Sequence, residues 1–461
     1  MTHPTVTLAT RPSLLVTWIR AVPLGARPLL PVLAVVALLA VPPPSGGGEG
    51  GGFTVADAAS ALLVLFCAVR VVRSMALPLT RAAAVLFALP VLGLTVAALG
   101  ARDPVLGVTG LGRYLQVFVL VPAAVLVLLR GRRDFRTVAA SIVLLALYQG
   151  ALGVTQYLTG TGASYMGDDV RAVGTFGAGD VMGMATVVAF GLICAVGLAL
   201  DPAPGAIRLQ RPIALGCALV LLLPLALSFS RGAWIATVVA VGAQLLLAGV
   251  RGAVRVLAAV TASAVVLIGG FGVGGAMLQD RASSITRVAD APDQSVTDRY
   301  SMWAAAVDMW REQPVTGVGL KGFPAHRDSY ASLALSSGSD TAGAGMGFHV
   351  QALLSPHNMY LLVLSEQGLL GLTLLAGGWA ALLVLGVRRL IAARRAGAGG
   401  DCGLVACGLL IWQLVDFAYG DIGGPSTVLT AVVLGLVAWW ALAVGEPHGP
   451  RETASAEGRT G

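Results

Sequence analysis

The sequence predicts an all-α, polytopic integral membrane protein with about twelve transmembrane helices and one large extracytoplasmic loop containing an amphipathic helix. Three observations carry that expectation. Of 461 residues, 56% are hydrophobic and 11% charged, whereas an ordinary soluble domain carries about 25% charged residues. The mean hydropathy is +0.83. Apolar runs, most of them long enough for a membrane helix of ~20 residues, recur along the chain and are separated by short basic connections.

Residues 1–27 carry Arg11, Arg20 and Arg27 ahead of the first apolar run, 28–41, and no small-residue cleavage site stands out. That pattern is closer to a signal-anchor than to a cleaved leader. A Pro/Gly linker follows at 42–52. The next runs are 53–69, 82–100, 114–129, 137–158, 181–200, 213–229, 233–250, 256–275, 367–387, 402–419 and 425–444, making twelve with the first.

Orientation follows from arginine, because Lys321 is the only lysine in a chain of net charge +7. The connections 70–81, 130–136, 201–212, 251–255 and 388–401 hold Arg70, Arg73, Arg81, Arg130, Arg132, Arg133, Arg136, Arg208, Arg211, Arg251, Arg255, Arg388, Arg389, Arg394 and Arg395. With the N-terminus inside, each falls on the cytoplasmic side of a twelve-helix zigzag, as the positive-inside bias requires. The expected parts are a cytoplasmic segment 1–27, helices one to nine in 28–275, an extracytoplasmic loop 276–356, helices ten to twelve in 357–444, and a cytoplasmic tail 445–461 of disordered composition. Both termini are then cytoplasmic in an inner, cytoplasmic membrane.

The same zigzag places 159–175, 228–232, 276–356 and 420–424 together on the outer face. The third is far longer than the usual connection, and structureless loops beyond about 12–15 residues are uncommon unless they are functional or disordered. Ser295-Val296-Thr297-Asp298 reads as a capping box for a helix to Arg311 with Trp303, Val307 and Trp310 on one face, suited to a membrane interface, and Pro314 ends it. The Ser/Gly/Ala-rich stretch 331–347 reads as a mobile lid.

Few residues in this apolar chain can carry chemistry. His357, in Ser355-Pro356-His357-Asn358-Met359-Tyr360, precedes an apolar run that contains Glu366 and Gly368. An imidazole at the mouth of a membrane helix has the intrinsic pKa of a general base, and Pro356 and Asn358 are turn and cap residues that would fix it. Arg231, in Ser228-Phe229-Ser230-Arg231-Gly232-Ala233-Trp234, is either an anion ligand or a helix-end anchor; its outer position and the flanking Ser230 and Gly232 favour the ligand. Arg299 opens the amphipathic helix, where the macrodipole disfavours a cation, and is equally read as a solvated charge paired with Asp298. Arg171 precedes a helix but has Asp168 and Asp169 close by to neutralise it. Glu366 is a buried partner or a helix-end charge.

No metal is expected, because His326, His349 and His357 lack ligand spacing, and no cofactor motif occurs. The five cysteines lie in apolar runs and read as packing residues. Basic residues spread along the membrane exclude nucleic acid as a partner, and there is neither a phosphate-binding glycine loop nor a Ser-His-Asp order.

The run Pro356 to Leu361 through Glu366-Gln367-Gly368-Leu369-Leu370-Gly371-Leu372 resembles the signature of the O-antigen ligase and polymerase superfamily. So do Phe229 to Trp234, and Arg299 to Trp303 followed by Pro314-Val315-Thr316-Gly317-Val318-Gly319. Arg171 to Gly177 is similar to the upstream segment of that family, with Gly179-Asp180 where Pro-Asn is common. The resemblance covers roughly 165–375 and implies a metal-independent glycosyltransferase at the outer face of the membrane. The implied partners are an undecaprenyl-diphosphate-linked glycan donor, a glycan or lipid acceptor, and the lipid bilayer. It implies His357 as the base that deprotonates the acceptor hydroxyl and Arg231 with Arg299 as the diphosphate clamp, Arg171 and Asn358 completing the substrate contacts. Two guanidiniums on a diphosphate can stabilise the leaving group without a divalent ion. The rival expectation is a secondary transporter or lipid-linked oligosaccharide flippase, which commonly shows two similar halves and a midplane site; no internal repeat is evident here.

Overall fold

The computed structural model describes residues 28–43, 53–74, 79–165, 170–177, 180, 182–202, 208–249, 294–331, 339–343, 349–351, 353–424 and 426–443. The ninth apolar run, the N-terminal segment and the C-terminal tail lie outside the described residues. The architecture is helical: α1 Leu30–Leu38, α2 Val55–Ser74, α3 Arg81–Leu99, α4 Pro104–Leu115, α5 Val121–Leu128, α6 Arg132–Thr159, α7 Gly183–Leu200, α8 Gln210–Leu227, α9 Arg231–Ala248, α10 Gln294–Glu312, α11 Phe323–Tyr330, α12 Met359–Arg395, α13 Asp401–Asp416 and α14 Thr427–Leu442. Among the described residues, eight helices are long and apolar enough to cross a membrane, the pair α4 and α5 counting as one through the π-turn Gln116–Leu120.

Eleven of the twelve expected runs fall on these helices, and the differences have local causes. The fourth begins at Pro104, ten residues before the apolar run, because Asp103 accepts from the Val105 and Leu106 amides and caps a first turn that starts with proline. Its glycines disguise this turn as loop. The tenth starts at Met359 and is one continuous element to Arg395, interrupted only at Gly368, where φ is 63° and ψ −166°.

The core lies along α7, every residue of which is buried, and α14, where Thr427 to Trp440 and Leu442 are buried. Close approach depends on small residues, as in other membrane bundles. A Cβ at Gly191 would stand 2.2 Å from the Ala146 Cβ of α6, and one at Gly197 2.6 Å from Val405 of α13. Fully buried Gln244 of α9 donates to the carbonyls of Ile193 and Leu404, both at 3.0 Å, tying three helices together. Leu62, Leu65, Val85, Leu144, Val220, Val238 and Leu246 face outward, which suits hydrocarbon.

Helix α10 corrects one expectation. It begins at Gln294, so Ser295 lies inside the first turn. Its buried face is Asp298, Ser301, Met302, Ala305, Ala306 and Met309, while Trp303, Val307 and Trp310 flank that face, half-buried. Alanines let the backbone come close to the bundle, and the bulkier tryptophans stand at the edges. There the Trp303 indole donates to the Pro356 carbonyl at 2.8 Å and the Trp310 indole to that of Pro314 at 3.2 Å.

A small antiparallel sheet completes the fold. Strand β1, Ala163–Tyr165, pairs with β2, Ser339–Gly343, and β2 with β3, His349–Gln351, in the registers Ala163↔Gly343 and Ser339↔Gln351. Part of the stretch expected to be a mobile lid is therefore a paired strand; the rest of it lies largely outside the described residues.

Candidate active site

The site is organised by the turn between α13 and α14. The amide of Met359 donates to the carbonyls of Phe417 (2.8 Å) and Gly420 (3.0 Å), and the Asn358 side-chain amide donates to Ala418 (3.1 Å). Asn358 also caps α12, its Oδ1 accepting from the Leu361 amide at 3.1 Å. The Ser355 hydroxyl donates to the Asp421 carboxylate and accepts from the His357 amide at 3.3 Å. These bonds hold His357 at φ 46°, a left-handed conformation rare for a side chain of its size. Such strain costs about 1–3 kcal/mol and persists only where the surroundings over-determine it.

Burial holds the His357 imidazole below its ordinary pKa; Asp421 pulls it up and Arg299 pushes it further down. The ring is thus kept neutral, with a lone pair available to a hydroxyl.

Two further segments converge on the same turn. Phe229 is also left-handed, at φ 48°. Ser230 then caps α9 by accepting from the Ala233 amide at 3.2 Å, which makes Arg231 the first residue of that helix. Gly232 faces Tyr419 of the α13–α14 turn, where a Cβ would meet the tyrosine Cβ at 3.3 Å. Arg171 pairs by its backbone with Ala163, at 3.1 and 2.8 Å, and the next amide, Ala172, donates to Leu227 at the end of α8. Two glutamines of α6 clamp residues 173–175: Gln156 Oε1 accepts from the Val173 and Gly174 amides, and fully buried Gln149 from the Thr175 amide. Arg299 lies close enough to act electrostatically on both His357 and Asp416. Every expected site residue therefore approaches one end of the bundle: His357, Asn358 and Arg231 border the α13–α14 turn, Arg299 faces it, and Arg171 joins through the α8–α9 corner.

Three carboxylates that sequence reasoning did not single out complete the cluster. Asp421 faces His357, Asp416 ends α13, and Asp180 Oδ2 accepts from the Ser426 amide at 3.2 Å, with burial pushing its carboxyl up. A signal for the first two was present in the sequence, since a turn of Asp416 to Gly424 between two apolar runs holds two acids. Behind the turn, Arg113 ion-pairs with Asp57 of α2 and donates to the Gly424 carbonyl at 3.3 Å, while Gln116 reaches Ser60 at 2.7 Å.

The break in α12 explains two of the sequence motifs together. Gly368 leaves carbonyls and amides of the helix without intrahelical partners, and Pro314 to Gly319 supply them as an extended rung. The Val318 amide donates to Ser365 (2.9 Å), Gly319 to Glu366 (3.1 Å), Leu369 to Pro314 (2.9 Å) and Leu370 to Val315 (3.1 Å). Irregular backbone inside a membrane protein is tolerated where protein covers it in this way. Glu366 is a buried partner, 1% exposed, accepting from the Phe323 amide at 3.2 Å.

Among the described residues no group of three His, Cys, Asp or Glu side chains has metal-holding geometry. His326 Nδ1 instead stands 2.9 Å from the Gly322 carbonyl of its own helix turn.

Comparison with known proteins adds one match. Residues 216–376 match a family model described as O-antigen ligase. The matched stretch runs from α8 to the middle of α12 and includes Arg231, Arg299, His357, Asn358 and Glu366, while Arg171 and the α13–α14 turn lie outside it. No curated protein matches the chain.

Proposed function

We propose that this chain, with an O-antigen ligase domain match over residues 216–376, transfers a glycan from an undecaprenyl-diphosphate carrier to an acceptor hydroxyl at the outer face of the cytoplasmic membrane, without a metal ion. The family supports glycan transfer or polymerisation in a membrane. The observation that carries the finer reading is the α13–α14 turn, which joins the backbone that holds His357 to the helix start that presents Arg231.

The chemistry follows from those residues. Neutral His357 accepts the proton of the acceptor hydroxyl as its oxygen attacks the anomeric carbon, and the bond from that carbon to the diphosphate oxygen breaks. The departing diphosphate gains charge, which Arg231 and Arg299 neutralise through paired N–H donors. Asp421 steadies the imidazolium that forms. Arg171 borders the donor, and Asn358 fixes the first turn of α12. Both termini are then cytoplasmic, with the arginine-rich connections inside.

A transporter or flippase is the second reading, and one observation favours it: α12 is broken about nine residues, or ~14 Å, into its length, as helices are in transporter sites. Here, however, the break is filled by the backbone of residues 314–319.

The test is glycan transfer in proteoliposomes from a radiolabelled undecaprenyl-diphosphate donor with EDTA present, comparing wild type with His357→Ala and Arg231→Ala. The expected result is a new glycosidic product from wild type, with kcat lower by ~10²–10⁴ in His357→Ala and both variants folded. Label that crosses the bilayer without bond formation, equally in wild type and His357→Ala, would overturn the reading.

A further inference from the structure

The aromatic residues of α10 have no part in the steps above, yet two of them stand against the site. Tyr300 and Trp303 lie three positions apart, which makes them neighbours on the helix surface. Their rings meet edge to face, with centroids 5.6 Å apart and planes at 69°. The Trp303 indole donates at 2.8 Å to the carbonyl of Pro356, the residue bonded to His357. Consecutive Cα atoms stand about 3.8 Å apart, so this bond pins the pair within one peptide unit of the residue that bears the imidazole. Trp303 is half-buried and Tyr300 is 49% exposed.

A tryptophan that only anchors a helix at the membrane surface turns its indole N–H toward water and headgroups. Trp303 spends that donor on a backbone carbonyl of the site, which fixes its ring while Tyr300 stays open beside it. Trp310, two turns further along α10, is the contrast: its indole donates at 3.2 Å to Pro314, the residue where the same helix gives way to the following turn. One indole is tied to the reacting end and the other to its own element.

The electron-rich face of an aromatic ring attracts the polarised C–H bonds of a pyranose, and Tyr and Trp give such contact area at small cost in rotamer freedom. An alkyl chain would also cover these rings, but it has no hydroxyl from which His357 could take a proton. A pyranose stacked here carries several at its rim, beside the base.

We propose that Tyr300 and Trp303 form the stacking platform for the acceptor, and that the hydroxyl presented to His357 therefore belongs to a sugar ring. The inference rests on the transferase reading. Tyr300 supplies the open face, and Trp303, held by Pro356, sets the angle of the pair to the base. Neither moves a proton. They determine acceptor affinity and orientation, while the diphosphate is left to Arg231 and Arg299.

The experiment uses the full-length protein in nanodiscs and compares wild type with Tyr300→Ala, Tyr300→Phe and Trp310→Phe. The probe is methyl β-D-galactopyranoside, one face of which is a patch of C–H bonds, followed by saturation-transfer difference NMR. Saturation of its ring C–H protons is expected in wild type, with Kd raised roughly 2- to 10-fold in Tyr300→Ala, the range of one aromatic contact. Tyr300→Phe keeps the ring and Trp310→Phe leaves the platform untouched, so both should match wild type. Affinity for undecaprenyl diphosphate should be the same in all four proteins. No saturation in wild type, an unchanged Kd in Tyr300→Ala, or an equal weakening of both ligands would overturn the platform. A wild type that holds the glycoside through Tyr300 but transfers no glycan would sink the function proposed above and leave the sugar site standing. Transfer that Tyr300→Ala leaves unchanged at limiting acceptor would do the reverse.

Discussion

Arginines meet helix ends at both ends of this bundle, but on opposite poles of the helices. At the end away from His357 they cap carbonyls. Arg394 donates to Leu247 and Ala248 at the C-terminus of α9 and to Asp201 at the end of α7. Arg389 donates to the Trp440 and Ala443 carbonyls at the end of α14, with its guanidinium 5.1 Å from the Trp440 ring centroid. Cations there meet the negative pole of each helix and satisfy orphan carbonyls. At the His357 end the placement is reversed for Arg231, the first residue of α9, whereas Arg299, expected to open the amphipathic helix, is the sixth residue of α10 and lies past its first turn, because that helix begins at Gln294. A cation at a helix N-terminus opposes the macrodipole, whereas an anion bound there gains from both. The three non-glycine residues with positive φ among the described residues, Phe229, Lys321 and His357, are also all at this end. One end satisfies its own backbone; the other holds backbone strain and the arginine that begins α9.

That contrast can be broken from the structural side first. Arg136 holds Asp401 through two bonds, 2.6 and 3.1 Å, and Asp401 is fully buried. Removing one partner of a buried pair strands the other charge, at about 3–5 kcal/mol. Arg136→Ala should therefore lower the unfolding free energy by that amount, read by thermal or denaturant melting in detergent, while kcat per folded molecule stays at the wild-type value. A fall in kcat at unchanged stability would show that the two ends are not separate in function.

A smaller, pH-dependent effect separates the ends again. The His357 imidazole is depressed below its ordinary value by burial and Arg299, so between its folded pKa and the unfolded value of about 6.5 the unfolded chain binds more protons. Stability should therefore fall as pH drops below ~6.5, and the acidic limb of the kcat/KM profile, which reports the free enzyme, should lie below that value too. His357→Gln should remove this part of the stability change, measured as melting temperature against pH, whereas Arg136→Ala should retain it. A limb above 6.5 would mean that Asp421 outweighs burial.

Much of this end was legible in the sequence because its chemistry is written in rare residues. In a chain that is 11% charged, an arginine without a long loop around it and a histidine between proline and asparagine stand out. The helices were legible because hydrocarbon demands long apolar runs. The illegible part is relational. Pro314 to Gly319 and Glu366 to Gly371 read as two motifs, and only the backbone ladder shows that one fills the gap in the other. Asp421 was not singled out, because nothing local says that Ser355, 66 positions earlier, donates to it. The start of α4 was hidden by glycines whose absent side chains make room for neighbours such as Lys321.

The smallest expected effect isolates the junction that holds His357 in place. Asn358 both caps α12 and ties it to Ala418, so Asn358→Ala removes a cap and one interelement bond. Losing an N-cap costs about 0.5–2 kcal/mol, and because Met359 still donates to Phe417 and Gly420, the helix start should remain docked. Asn358→Asp retains the acceptor that caps the helix and loses the donor to Ala418. If capping dominates, Asp should recover most of the stability; if the tie to the turn dominates, Asp should resemble Ala. The two variants thus divide the effect between the α12 terminus and the α13–α14 turn, with melting temperature as the readout. Since His357 is the next residue back, a kcat loss in Asn358→Asp at wild-type stability would assign the orientation of the imidazole to the turn, not to the helix.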